Sequence, residues 1–145
     1  MSRNLDAAIA EALGYEVRYA KSYWDVDCWI VVSGYSADLL KYSTDGNAML
    51  ELDAEMRKRG HVLHTFPTEE FLIRAEYESK EYIALRIKAV EDADRLASTV
   101  PIMKLMKNYG HMVSSASADT MPKAVALAAY KALSGKEWKE DDPNV

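Results

Sequence analysis

Residues 61–88, HVLHTFPTEEFLIRAEYESKEYIALRIK, hold the reading on which the fold turns. His61–Phe66 is a short β-branched and aromatic run. From Phe71 onward Phe71, Ile73, Ala75 and Tyr77 alternate with Leu72, Arg74, Glu76 and Glu78. Side chains on a strand alternate between its faces, so this period of two predicts a strand with one apolar and one charged face. Tyr82–Lys88 alternates again, with Ile83, Leu85 and Ile87 on one side and Arg86 and Lys88 on the other. Two alternating runs separated by a few polar residues predict an antiparallel hairpin of 71–78 with 82–88. Glu76 and Glu78 would then pair across it with Arg86 and Lys88, at ~0.2–1 kcal/mol each.

Upstream, Leu5, Ala8, Ile9, Ala12 and Leu13 form an apolar stripe at helical spacing, which predicts a helix over about 4–13 that stops at Gly14. Tyr23–Val32 alternates and reads as a strand, with Trp24, Val26 and Cys28 on one face and Asp25, Asp27 and Trp29 on the other; Val17 and Tyr19 suggest a strand before it. Ala48, Met49, Leu52 and Met56 mark a helix over about 45–59. Ser43, Thr44 and Asp45 are good capping types for its start, Arg57, Lys58 and Arg59 suit its last turn, and Gly60 stops it.

Downstream, residues 91–110 read as an irregular helical insert, with Pro101 in a first turn. The run from Ser114 to Thr120 reads as a hydroxyl-rich approach to a last helix, which carries Pro122 just inside its start, an alanine-rich stripe and a stop at Gly135. So many alanines allow close approach to a sheet. Residues 136–145 are highly charged and are expected to fray. The expected architecture is one α+β domain over 1–135: a mixed or antiparallel sheet with helices on its faces, an α/β/α sandwich.

Composition narrows the function. The chain has 145 residues and a formal net charge of −5, which argues against a duplex nucleic-acid partner because such affinity comes mostly from phosphate neutralisation. No apolar run approaches the ~18 residues of a membrane span, and the first residues lack a secretory pattern, so a cytoplasmic protein is expected. The single cysteine, Cys28, can form neither an internal disulfide nor a thiolate zinc site alone. No GxSxG, HExxH, CxxC, Walker or GxGxxG pattern occurs. His61 and His64 fall on opposite faces of a strand, so a shared metal is not expected. Asp25 and Asp27 share a strand face, where two carboxylates can hold a metal or simply solvate an edge.

What remains is binding. Ser43 and Thr44, and Thr120 with Lys123, stand at helix starts, where exposed N–H groups and the dipole suit a phosphate as well as ordinary capping. Arg57 and Arg59 offer guanidinium forks to an anion. Trp29 and Tyr109 are candidates for stacking on a base. These eight residues are the expected ligand-binding set; no catalytic residue, metal or cofactor is expected.

The chain resembles the phage ABA-sandwich family of small bacteriophage α+β proteins. The resemblance rests on EALG at 11–14, YSTD at 42–45 with Ala48 and Met56, the hydrophobic run 82–87, and ADTMPKAVALAA at 118–129. It spans most of residues 4–134. Relatives carry a tryptophan shortly after YSTD where this chain has Met49, and residues 90–117 are longer than the usual link, which implies an added function or an oligomer contact. The resemblance implies a helix–sheet–helix sandwich and an origin in an infected bacterial host. As a class, such proteins resemble anti-defence sponges that sequester nucleotide signals. The expected function is therefore capture of a cyclic nucleotide or nucleotide-derived signal by a homo-oligomer, with a protein-interaction module as the alternative: a virion accessory protein, or an inhibitor that docks on a host enzyme.

Overall fold

A computed structural model describes residues 3–21, 27–31 and 37–139. In chain order it contains α1 (Arg3–Ala12), β1 (Val17–Lys21), β2 (Asp27–Val31), β3 (Ala37–Asp38), α2 (Gly46–Lys58), β4 (His61–Pro67), β5 (Ile73–Ser79), α3 (Lys80–Leu96), α4 (Val100–Tyr109), a 3-10 turn (Gly110–Met112), β6 (Val113–Ala118) and α5 (Met121–Ser134). Two antiparallel three-stranded sheets form, in the orders β1-β2-β3 and β4-β5-β6. The α+β expectation holds, with helices packed on the faces of the second sheet.

The hairpin is displaced from its expected place. β5 pairs with β4, with Leu63 opposite Tyr77 and Phe66 opposite Arg74. Residues 82–88, expected as its partner strand, are helical instead. The reason is local and tertiary at once. The Ser79 side chain accepts a hydrogen bond from the Tyr82 amide, and its backbone has the extended geometry of an N-cap, with φ −71° and ψ 154°. Tyr82, Leu85 and Ala89 then recur at i, i+3 and i+7 and pack with Leu105, so the run buries its apolar groups with helical period. Removing the cap by Ser79→Ala is expected to cost about 1 kcal/mol, read as a lower melting temperature with unchanged helix content at low temperature.

The vacant edge of β5 is taken by β6, which falls in the run from Ser114 to Thr120 read from sequence only as a hydroxyl-rich approach to the last helix. Ser114, Ala116 and Ala118 stand opposite Tyr77, Ala75 and Ile73. These small residues share the core face, and Ala124, Val125, Ala128 and Ala129 of α5 are fully buried against it. The expected close approach of an alanine-rich helix to a sheet is therefore real. α2 packs on β4, and α1 packs on α5. Leu5, Ile9, Leu52, Met56 and Tyr77 are completely buried in the resulting core. Gly135 ends α5 in the left-handed region, with φ 75°, where a side chain would be strained. Beyond it Trp138 turns back onto the core, its ring edge-on to Tyr130 at 5.3 Å; residues 140–145 lie outside the described structure.

α3 and α4 cover the opposite face of the β4-β5-β6 sheet, which completes the three layers. The insert expected at 91–110 is thus a helical pair: α3 runs on from the sheet to Leu96, and α4 follows after three residues.

Candidate functional site

Alternation along β5 sends Ala75 and Tyr77 into the core and Arg74, Glu76 and Glu78 to the other face. The register sets Val62, His64 and Phe66 of β4 beside them on one side, and Val113, Ser115 and Ser117 of β6 on the other. This outer face is mostly polar. Above it Tyr82, Arg86 and Val90 project from one stripe of α3, and Ile102, Leu105 and Met106 from α4. Sheet and helices enclose a cleft of about 440 Å³ with a charged floor and an apolar wall.

The floor is organised around Glu78, whose side chain is 9% exposed. One oxygen accepts from His64 Nε2 at 2.8 Å and the other from Arg86 Nε at 3.0 Å. Arg86 thereby ties α3 to the sheet. Its terminal nitrogens make no hydrogen bond among the described residues. Arg74 donates from Nε to Glu76 at 3.2 Å and from Nη2 to Ser115 Oγ at 2.8 Å. Burial pushes the Tyr82 phenol up, Glu78 adds to this and Arg86 opposes it, so the group stays a neutral donor across the physiological range. His64 and Ser115 both stand opposite Glu76, on different sides of β5. Two strand spacings, about 9–10 Å, separate them, and the hydrogen-bonded Ser–His pair of nucleophilic catalysis is not formed.

The eight residues expected to grip a ligand are dispersed. Ser43 is 2% exposed, and its amide donates to Asp6 Oδ1 at 2.9 Å. Thr44 is exposed, and Asp45, not Ser43 or Thr44, caps α2 through the Asn47 amide. Arg57 is paired with Asp53 at 3.1 Å, and Asp53 also accepts from the Tyr77 hydroxyl. Arg59 donates to the Leu13 carbonyl at 2.8 Å, closing the end of α1. Both arginines lie at the far end of α2 from Ser43 and Thr44, about 20 Å away. Thr120 caps α5, accepting from the Lys123 amide. It follows Ala118, which pairs with Ile73, whereas Arg59 precedes His61, which pairs with Ser79 at the other end of β5. Tyr109 lines a second groove between α3 and α4. The side chain of Trp29 lies outside the described structure, as do Trp24 and Asp25.

The two histidines do face opposite sides of β4. His64 meets Glu78, while His61 sits edge-on to Tyr77, 6.5 Å between ring centres. Burial, and secondarily Arg59, hold the His61 imidazole below its usual pKa. No group of three or more potential metal ligands occurs among the described residues. No described helix is long and apolar enough to cross a membrane.

The alternation predicts Glu76 and Glu78 paired with Arg86 and Lys88 across a hairpin, and it gives no cleft. The available signal was the alternating charge of β5: a strand whose outer face carries Arg, Glu and Glu must be solvated or covered by a polar site. No protein-family model, curated protein or solved structure matches this chain.

Proposed function

We propose that this protein is a non-catalytic binding protein that captures an amphiphilic anion, of the nucleotide class, in the cleft between the β4-β5-β6 sheet and α3–α4. One observation carries the reading. Arg86 is oriented through Nε by the buried carboxylate of Glu78, and its fork has no partner among the described residues in a cleft of about 440 Å³. A guanidinium fork matches phosphate and carboxylate geometry, and fixing it beforehand reduces the ordering cost of binding. Val90, Ile102 and Met106 supply an apolar wall for a base or another flat ring. The volume falls in the range of small-molecule sites, ~300–1,000 Å³. The resemblance to phage sandwich proteins gives this capture its biological sense, sequestration of a nucleotide-derived immune signal.

A thermal-shift titration with cyclic dinucleotides, cyclic trinucleotides, ADP-ribose and nucleoside diphosphates tests the reading. A cognate ligand at 100 times its Kd should add ~2.7 kcal/mol of stability. Arg86→Ala should abolish the shift, and Arg57→Ala should leave it intact. No shift with any of these ligands would sink the proposal.

The protein-interaction reading keeps one observation in its favour. Of the large apolar side chains exposed among the described residues, Met103 and Met106 of α4 are each 64% exposed, with Ile87, Val90, Leu96 and Val100 also at the surface of the helical pair. Exposed methionines adapt to varied partner surfaces.

A further inference from the structure

We propose that the tip of the β4–β5 hairpin, Phe71, seats in the α3–α4 groove of a second copy of this chain. The inference is independent of the ligand cleft, since it uses a different groove and the opposite end of the hairpin from Glu78.

Phe71 is 96% exposed, the most exposed large apolar side chain among the described residues, and its backbone has φ 62°. A bulky residue in the left-handed region is strained and persists only where its surroundings enforce it. Here the loop enforces it. The Thr68 amide donates to the Leu72 carbonyl at 2.9 Å, the Phe71 amide to the Thr68 carbonyl at 3.1 Å, and the Leu72 amide to Thr68 Oγ1 at 3.1 Å. The ring is therefore held out on a fixed backbone, in water, where glycine would fit the turn without strain. Glu69 and Glu70 immediately precede it in the turn, both exposed.

The groove is its complement. It has a volume of about 380 Å³ and is walled by Leu85, Leu96, Val100, Leu105 and Tyr109. Lys88 and Lys104 also line it, and neither is in an ion pair among the described residues. Asp92, the acidic residue in the lining, is paired with Arg95 at 3.5 Å. An apolar slot bordered by two lysines thus matches an aromatic knob bordered by two glutamates, and complementary charges of this kind set register and partner choice. Knob and slot are different patches of one surface. Reciprocal insertion closes a two-fold dimer, whereas one-way insertion runs head to tail, and both bury the same contact.

Sedimentation velocity of the full chain over a concentration series up to about 1 mM provides the test. The wild type should self-associate. Phe71→Gly should weaken association by roughly tenfold or more while melting at or above the wild-type temperature, because glycine accepts the positive φ. A tip variant, Glu69→Lys with Glu70→Lys, and a groove variant, Lys88→Glu with Lys104→Glu, should each associate poorly alone and associate again when mixed. A wild type that stays monomeric throughout, Phe71→Gly that associates like the wild type, or a mixture that stays monomeric would each overturn the proposal.

Discussion

Above pH 10 the protein should unfold cooperatively, driven by tyrosines that its folded state cannot ionise. Tyr42, 4% exposed, has its pKa pushed up to about 12, first by burial and then by the nearby Tyr15 and Glu51. Tyr77, fully buried, is held far above the usual phenol range by burial and by Asp53, whose carboxylate accepts a hydrogen bond from its hydroxyl at 3.2 Å. In the unfolded chain both titrate near ~10. A pKa raised on folding contributes stability that is complete below the unfolded value and is lost as pH rises towards the folded one. The window therefore opens near 10, and for Tyr42 it closes near 12. Each tyrosine removes at most about 1.4 kcal/mol per pH unit. Two acting together over two units remove several kcal/mol, a large part of the ~5–15 kcal/mol that holds a domain folded. Tyrosinate absorbance and far-UV circular dichroism, followed together, should change in one steep step. Tyr42→Phe should make the fall in stability shallower. A gradual tyrosinate titration with the ellipticity unchanged would contradict this account.

Asp6→Ala is expected to be the most damaging single truncation at a polar site, at about 2–4 kcal/mol. Asp6 belongs to the first turn of α1, is 0% exposed, and accepts the Ser43 amide at 2.9 Å. That bond spans 37 residues and fixes the chain entering α2 against α1. Alanine leaves the buried Ser43 amide unpaired, and the lost desolvation is not recovered. A chain of this length should melt roughly 5–15 °C lower. Asp6→Asn keeps an acceptor of similar shape and should lose clearly less. Equal melting of Asp6→Ala and wild type would show that water can reach this amide.

The contrast between Ser43 and Arg86 shows how far the residues alone reach. Ser43 has the right chemistry for a phosphate site and stands just ahead of a helix start, yet Asp6 takes its amide and the core closes over it. Arg86 was expected to meet Glu78, and it does, at 3.0 Å. It meets it from a helix lying over the sheet rather than from the next strand, and this difference creates the cleft. The two histidines lie on opposite faces of β4 as expected, because opposition follows from the two-residue period alone.

Features set within a few residues can be read directly from the chain: the apolar stripes of α1, α2 and α5, the Thr120 cap, the stop at Gly135 and the charged face of β5. Each depends on hydrogen bonds or spacing no longer than a helical turn or a strand pleat. The path of Tyr82–Lys88, the recruitment of Val113–Ala118 to the sheet and the joining of His64, Glu78 and Arg86 emerge only on folding. A short apolar run satisfies a strand and a helix almost equally, and a serine–alanine strand carries almost no pattern. Burial against distant partners breaks those ties, and that energy belongs to contacts no single segment contains.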